Sequence, residues 1–224
     1  MIEAARLSEL GAVHGTVVIA DEQTAGIGRL GRNWISSPDV GIYCSILLRL
    51  NLPPAQLPVA SLLLGLAVAE AIQNATSLVC DLRWPNDVLI NEKKVCGILT
   101  QLIGNCIIAG IGINVNQTAF EEGLRTPATS LRIESAQPQS REQVLIALLE
   151  SLDTFCDLLH AQGPASILRA FSAISSYANG RRVTVEEGGL QGTTHGLDEC
   201  GFLLLQTSDG KLHRLSAGGV RAAP

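Results

Sequence analysis

Charge is scarce in this 224-residue chain: Asp, Glu, Lys and Arg make up 17% of it, aromatics 4%, and there is one methionine. With hydrophobic residues at 46%, that shortage excludes a disordered chain. The length suffices for one or two domains with a sizeable core. A basic surplus is missing too. Sixteen Lys and Arg face 21 Asp and Glu, a net charge of -5, which argues against bulk nucleic-acid binding but leaves room for a small basic pocket. The six cysteines, Cys44, Cys80, Cys96, Cys106, Cys156 and Cys200, form no Cys-x-x-Cys pair and have no histidine cluster beside them, so no zinc site is expected. Most lie in or beside apolar runs and read as small buried residues of a reducing cytoplasm. No signal peptide is read in Met-Ile-Glu-Ala-Ala-Arg, which has no apolar core behind a basic start. A clean membrane-length run is lacking as well. Residues 50–69 are uncharged, but Pro53, Pro54 and Pro58 interrupt them, and Val59–Ala69 is too short to span. A buried helix is expected there, and no membrane partner. Internal repeats and low-complexity segments are absent.

What is present is a sequence of alternating elements. Glu3–Leu10 predicts a short helix ended by Gly11, and Thr16–Ala20 a strand of the buried type. Ile42–Leu50 predicts a second strand, Pro58–Ala71 a helix apolar nearly all round, and Val79–Trp84 a strand. Val88–Ile90 and Val95–Leu102 read as a hairpin around a four-residue turn, Asn91–Lys94. Cys106–Val115 follows after Gly104-Asn105. Strands this close in sequence need no crossover helix, so this part of the sheet should be antiparallel. Residues 117–139 look like loop. Ser140-x-x-Gln143 is a capping box opening a helix to about His160, and Gly163-Pro164 starts another to about Ser176. From Asn179 short β runs joined by turn residues predict a small barrel. A boundary near residue 177 divides the chain into 1–176 and 177–224.

Two polar constellations stand out. The first is Gly26-Ile-Gly-Arg-Leu-Gly-Arg-Asn-Trp34. Glycines let backbone lie close to a ligand. Arg29 and Arg32 supply forked donors for phosphate or carboxylate, and Trp34 offers a flat face. Gly26, Gly28 and Gly31 also match G-x-G-x-x-G, but the dinucleotide fingerprint needs a strand directly before, a helix directly behind and an acidic residue about 20 positions on. Asp21–Ala25 intervenes, Asn33–Pro38 is a poor helix start, and the region of Asn51 has no Asp or Glu. The second constellation is Arg83-Trp-Pro-Asn-Asp87, where Pro85 turns the chain at a strand end and Asn86 and Asp87 project from it. The hairpin brings Lys94 back toward this edge, and Asn114 and Asn116 end the strand Gly110-Ile-Gly-Ile-Asn-Val-Asn116. Taken singly, each is an ordinary turn or strand end; together they converge at the strand ends of one sheet.

Four ordered motifs make the chain resemble the catalytic part of the biotin protein ligases: the Gly26–Trp34 loop, Arg83–Asp87, Lys94-Val-Cys-Gly-Ile-Leu99 and Gly110–Asn116, with Ser216–Val220 near the end fitting the family's C-terminal barrel. The resemblance covers essentially the whole chain. It implies an α+β fold: a mixed, largely antiparallel sheet flanked by helices, of the class II aminoacyl-tRNA-synthetase-like kind, with an SH3-like barrel behind it. It implies that biotin and Mg-ATP give biotinyl-5′-AMP and pyrophosphate, and that the biotinyl group then passes to a lysine of a biotin carboxyl-carrier protein. By the same resemblance Lys94, Arg29 and Asp87 are the catalytic residues. Gln23, Gly26, Ile27, Gly28, Arg29, Lys94 and Gly97 border biotin, and Arg29, Arg32, Trp34, Asn86 and Asn114 face the nucleotide. Asp87 would act through Mg²⁺ or as acceptor for the incoming lysine. A cytoplasmic ligase-only form without a DNA-binding domain is implied, and an exposed edge strand would permit a homodimer.

The chain departs from the family pattern in three places. Ile27 stands where an arginine is usual, Arg83 where a lysine is usual, and Met1 falls on the last of three positions, Ser-Thr-Asn or a variant ending in Met, so that the Ser-Thr pair that binds the biotin ring and the strand before it are missing. The last departure implies that the native chain begins upstream. A lipoate ligase or octanoyl transferase is a rival with the same fold, but its Arg-Arg and Gly-Gly-Gly segments with a following His are not visible. A catalytically impaired biotin- or nucleotide-binding module is the other.

Overall fold

In this computed structural model, which describes residues 1–216 and 218–223, α1 (Ile2–Glu9) leads to β1 (Val17–Ala20), and β2 (Gly41–Leu48) follows the glycine-arginine loop. α2 (Pro58–Thr76) extends beyond the expected Ala71 and closes at Ser77, which adopts a left-handed conformation (φ 61°). β3 (Asp81–Arg83), β4 (Asp87–Ile90), β5 (Lys93–Ile103) and β6 (Cys106–Asn114) complete the first sheet, in the order β1-β2-β6-β5-β4-β3. Every pairing between these strands is antiparallel. Among the described residues the one parallel feature is an isolated bridge between Lys94 and Ala128.

Three local expectations need correction. β1 is not buried on both faces: it is an edge strand paired only with β2, and Ile19 is exposed. The β4–β5 turn has two residues rather than four. Ile90 pairs with Lys93, and Asn91 and Glu92 both have positive φ (51° and 64°). That is the twist a tight hairpin requires, and asparagine tolerates it well. Lys93 and Lys94 thereby become strand residues. Within the stretch read as loop, α3 (Leu131–Ser135) forms because the Ser130 side chain accepts a hydrogen bond from the Ile133 amide.

α4 (Arg141–Gln162) begins on the expected cap, with the Ser140 hydroxyl accepting from the Gln143 amide, and α5 (Pro164–Ile174) carries Pro164 at its first turn. The C-terminal strands β7 (Asn179–Val185), β8 (Gln191–Leu197), β9 (Leu203–Gln206), β10 (Leu212–Leu215) and β11 (Val220–Ala222) form a second antiparallel sheet in the order β10-β9-β8-β7-β11. This small sheet fits the SH3-like unit expected; within Ser216–Val220, Ala217 lies outside the described residues.

Strand alternation divides the first sheet into two faces. Ile42, Cys44 and Ile46 of β2 and Ala109, Ile111 and Ile113 of β6 face α2 and join one apolar core with α4, α5 and the second sheet's Val183, Leu203, Leu205 and Val220. α2 is long and apolar enough to cross a membrane, but it is the central helix of that core. The opposite face carries Tyr43, Gly97, Gly110 and Gly112. Glycine replaces bulk in part of that face, so that the backbone itself forms a floor there, while Leu47, Cys106 and Ile108 pack with Ala4 of α1.

Candidate active site

The floor is built by register. Gly97 of β5 and Gly112 of β6 are direct cross-strand partners, and Gly110 lies two residues from Gly112 on the same face. Glycine inside a strand marks a close approach by something else. Here the Trp34 indole lies on the pair. A Cβ on Gly112 would come within 2.5 Å of Trp34 Cε2, and one on Gly97 within 2.9 Å of Trp34 Cζ3 and 3.1 Å of Lys94 Nζ. A Cβ on Gly110 would meet the Met1 thioether at 2.6 Å. The Trp34 Nε1–H is buried without a hydrogen-bond partner among the described residues.

At the end of the floor lies an ion cluster. Asp87 and Arg83 face each other across the β3–β4 ladder, and Lys94 reaches in from β5. Lys94 Nζ is 2.5 Å from Asp87 Oδ1, and an Arg83 Nη is 2.5 Å from Oδ2 and donates to Thr126 Oγ1 at 2.8 Å. Burial pushes the Asp87 carboxyl up, but Lys94 and Arg83 overcome it and hold the group below its ordinary range. Lys94 Nζ also stands 5.5 Å from the Trp34 ring centroid. One carboxylate and two cations thus sit together, with Lys94 beside the aromatic wall of Trp34.

The glycine-arginine loop folds over this place as a narrow hairpin. Gln23 bridges Ser36, Ile27 bridges Asn33, and the amides of Gly28 and Trp34 donate to Arg32 O (2.7 Å) and Gly26 O (2.9 Å). A Cβ on Gly26 would run into Trp34 O, so the hairpin can close only on glycine. The Ser36 hydroxyl donates to Gln23 Oε1 at 2.8 Å. Arg29 donates to Asn86 Oδ1 and to Gly218 O, both at 3.0 Å. Burial lowers its pKa, though a guanidinium stays charged. Asn86 is itself fixed by donating to Ile98 O at 2.7 Å. Arg32 pairs with Glu186 and Glu187 of the turn after β7.

The structure therefore brings Arg29, Asn86, Asp87, Lys94, Gly97 and Trp34 together, with Gln23, Gly26 and Gly28 in the loop beside them. Ile27 is exposed on that loop. Arg32 points to the C-terminal sheet. Asn114 is buried and donates to Thr129 O at 3.0 Å, while its carbonyl oxygen accepts from Gln117; it fastens the 126–130 segment to the strand end, on the same face of β6 as Gly110 and Gly112. Asn116 is likewise spent on Gln139. Sequence reasoning missed Thr126, Glu186 and Glu187, which have no local signature. The floor was foreshadowed by Gly110 and Gly112 two apart in one strand. Among the described residues no group of three or more His, Cys, Asp or Glu side chains could hold a metal. Asp87, with both oxygens engaged, suits at most a Mg²⁺ delivered on nucleotide phosphates, which needs only one or two carboxylates.

A glycine-floored, cation-lined trough on an antiparallel sheet, covered by an arginine loop, defines a site for an anionic ligand with a ring, of the kind that acyl-activating ligases use. The comparisons agree. Residues 5–117 match the Biotin/lipoate A/B protein ligase family and residues 179–220 the Biotin protein ligase C terminal domain, and the chain belongs to that family. It is 38% identical over 216 residues to the bifunctional ligase/repressor BirA of Bacillus spizizenii, across 92% of this chain and 66% of that protein. It is 31% identical to the biotin--[acetyl-CoA-carboxylase] ligase of Mycobacterium tuberculosis, across 96% and 82%. The solved biotin protein ligase from Aquifex aeolicus in complex with biotin and ATP superposes with a TM-score of 0.83 at 35% identity, covering 96% of this chain and 92% of that one. The chain thus spans just under two thirds of the length of the Bacillus relative and most of the mycobacterial one.

Proposed function

We propose that this chain is a biotin protein ligase. It joins the biotin carboxylate to the α-phosphate of Mg-ATP, giving biotinyl-5′-AMP and pyrophosphate, and passes the biotinyl group to a lysine of a biotin carboxyl-carrier protein. The observation that carries this reading is the Arg83–Asp87–Lys94 cluster set beside Trp34 on the Gly97–Gly112 floor. Biotin takes the place over the floor that the Trp34 indole covers in the ligand-free chain, with Gln23, Gly26, Ile27 and Gly28 at its edge. Its carboxylate meets Lys94, and Arg29 stands on the nucleotide side with Asn86. In the first step a carboxylate oxygen attacks the α-phosphorus and the bond to pyrophosphate breaks. Two anions must be held together, and Lys94 and Arg29 neutralise the charge that builds on the phosphorus oxygens. Mg²⁺ carried on the ATP phosphates would supply further charge neutralisation there. Asp87, kept ionised, fixes Lys94. In the second step the carrier amine attacks the acyl carbon and AMP leaves; Asp87 is the acceptor near the incoming amine. The loop shields the mixed anhydride from water.

The division into a catalytic part (1–176) and a C-terminal unit (177–224), a cytoplasmic setting and the carrier as partner belong to the same reading. The match of the C-terminal residues to a biotin ligase domain favours biotin over a lipoate-type substrate. The test is incubation with biotin, Mg-ATP and an apo carboxyl-carrier domain, following the carrier's mass, with biotin-dependent pyrophosphate exchange alongside. A gain of one biotinyl group with exchange supports the ligase. Retention of biotin without exchange, with a control ligase active on the same carrier, makes it a binding module instead.

A further inference from the structure

The C-terminal pair Gly218-Gly219 and the turn after β7 play no part in the chemistry above, yet they meet the arginine loop. Glu186 is the centre of that meeting. Its side chain is only 6% exposed, and three guanidinium groups from three separate segments converge on it. Arg32 of the loop donates to Oε2 at 3.0 Å, Arg221 of β11 lies 3.1 Å from Oε1, and Arg125 of the 117–130 segment lies 3.6 Å from Oε2. Glu187 adds a contact to Arg32 at 3.5 Å. The two carboxylates fit because two glycines make room. A Cβ on Gly219 would press on Glu186 Cδ at 3.2 Å, and one on Gly218 would run into Glu187 Oε2. Gly218 also has φ +89°, and its carbonyl accepts from Arg29. Both loop arginines are therefore held from the C-terminal unit, one by a carboxylate and one by a carbonyl.

We infer that Glu186 is a positioning residue for the ligase reaction: it clamps the arginine loop shut over the trough and so sets how long the activated intermediate stays sheltered. Resting on the ligase reading, this assigns the C-terminal unit the task of a catch. Arg32 is the moving arm. Arg125 and Arg221 flank the carboxylate and hold it in orientation. Trp34, two residues from Arg32, is carried with the loop onto the floor.

The test replaces the charge and keeps the shape, Glu186→Gln, and reads the loop in two ways. In the ligand-free protein, hydrogen exchange at the Gly28 and Trp34 amides should accelerate by about tenfold, because those bonds survive only while the hairpin is held. In the working enzyme, enzyme-bound biotinyl-5′-AMP should be lost to hydrolysis about tenfold faster and KM for biotin should rise, while single-turnover adenylate formation at saturating ligand changes by less than about threefold. Glu186→Asp should recover part of both effects. Should Glu186→Gln fail to fold, Arg221→Gln loosens the same carboxylate from outside the site and should shift both readouts in the same direction. Unchanged exchange at Gly28 and Trp34 in a folded variant overturns the inference. Faster exchange with an unchanged intermediate lifetime also overturns it, since the catch would then be structural only. If the loop loosens but the wild-type protein makes no adenylate, it is the ligase reading that fails.

Discussion

Replacing Gly112 by alanine adds one methyl group to the floor, and the structure says where it goes. The new Cβ would lie 2.5, 2.6 and 2.7 Å from Cε2, Nε1 and Cζ2 of Trp34. An ordinary carbon contact is roughly 3.5–4 Å, so the indole must retreat by about 1 Å. A flat ring cannot yield in part, and the Trp34 backbone is tied to Gly26 O. The retreat therefore moves the whole loop. Overpacking of this kind costs about 1–3 kcal/mol. The strand itself takes alanine without strain, because Gly112 is not among the glycines with positive φ. The penalty should thus fall on the loop and spare the core. Gly112→Ala should lower Tm by less than about 4 °C, yet raise KM for biotin by roughly 10- to 100-fold, as expected where a wall of the site is displaced by an ångström. Thermal unfolding and steady-state pyrophosphate release measure the two. Trp34→Ala in the same background removes the clash, so the pair should be non-additive. Additive losses, or a large fall in Tm with unchanged KM, would refute the close-approach reasoning.

Three further outcomes follow from the same geometry. The Asp87 carboxyl is held below its ordinary value near 3.8, so its contribution to stability is present above that value and is lost as the pH falls through the lower folded-state value. Asp87→Asn should cost up to about 3 kcal/mol at pH 7, and the gap to wild type in urea unfolding should narrow toward pH 3; a gap independent of pH refutes the assignment. Arg83 makes both of its bonds, to Asp87 and Thr126, through one nitrogen, a role an ammonium can take. Arg83→Lys should therefore change kcat/KM by less than about threefold, or roughly 0.7 kcal/mol, and a loss of a hundredfold would show that the guanidinium plane matters. Ser77, left-handed at the end of α2 (φ 61°), should favour glycine: Ser77→Gly should raise Tm by about 2–3 °C, and a decrease would show that the serine is held by something else.

What the sequence made legible depended on whether a signal was local. Gly110 and Gly112, two apart in a strand, could only share a face, and a bare sheet face asks for a covering group; Trp34 is that group. Arg83 and Asp87 flank Trp84-Pro85-Asn86, so a turn there sets them opposite each other, and the hairpin returns Lys94 to the same place. The α4 cap and the proline start of α5 follow from single-residue chemistry in the same way. Asn114 shows the limit. An amide at a strand end looks free in sequence, yet here the 126–130 segment folds back and takes it. Glu186 shows the converse. Beside Glu187-Gly-Gly it reads as a solvated turn, and nothing near it announces Arg32, Arg125 or Arg221. Its role arises only when the second sheet docks, and that docking is set by apolar contacts such as Val185 and Val220 joining the common core. The core therefore decides which charges meet. A change to the apolar packing beneath β7 and β11 would shift the carboxylate that holds the loop without touching any residue of the trough. Sequence motifs of the trough alone thus leave half of the loop's restraint out of view.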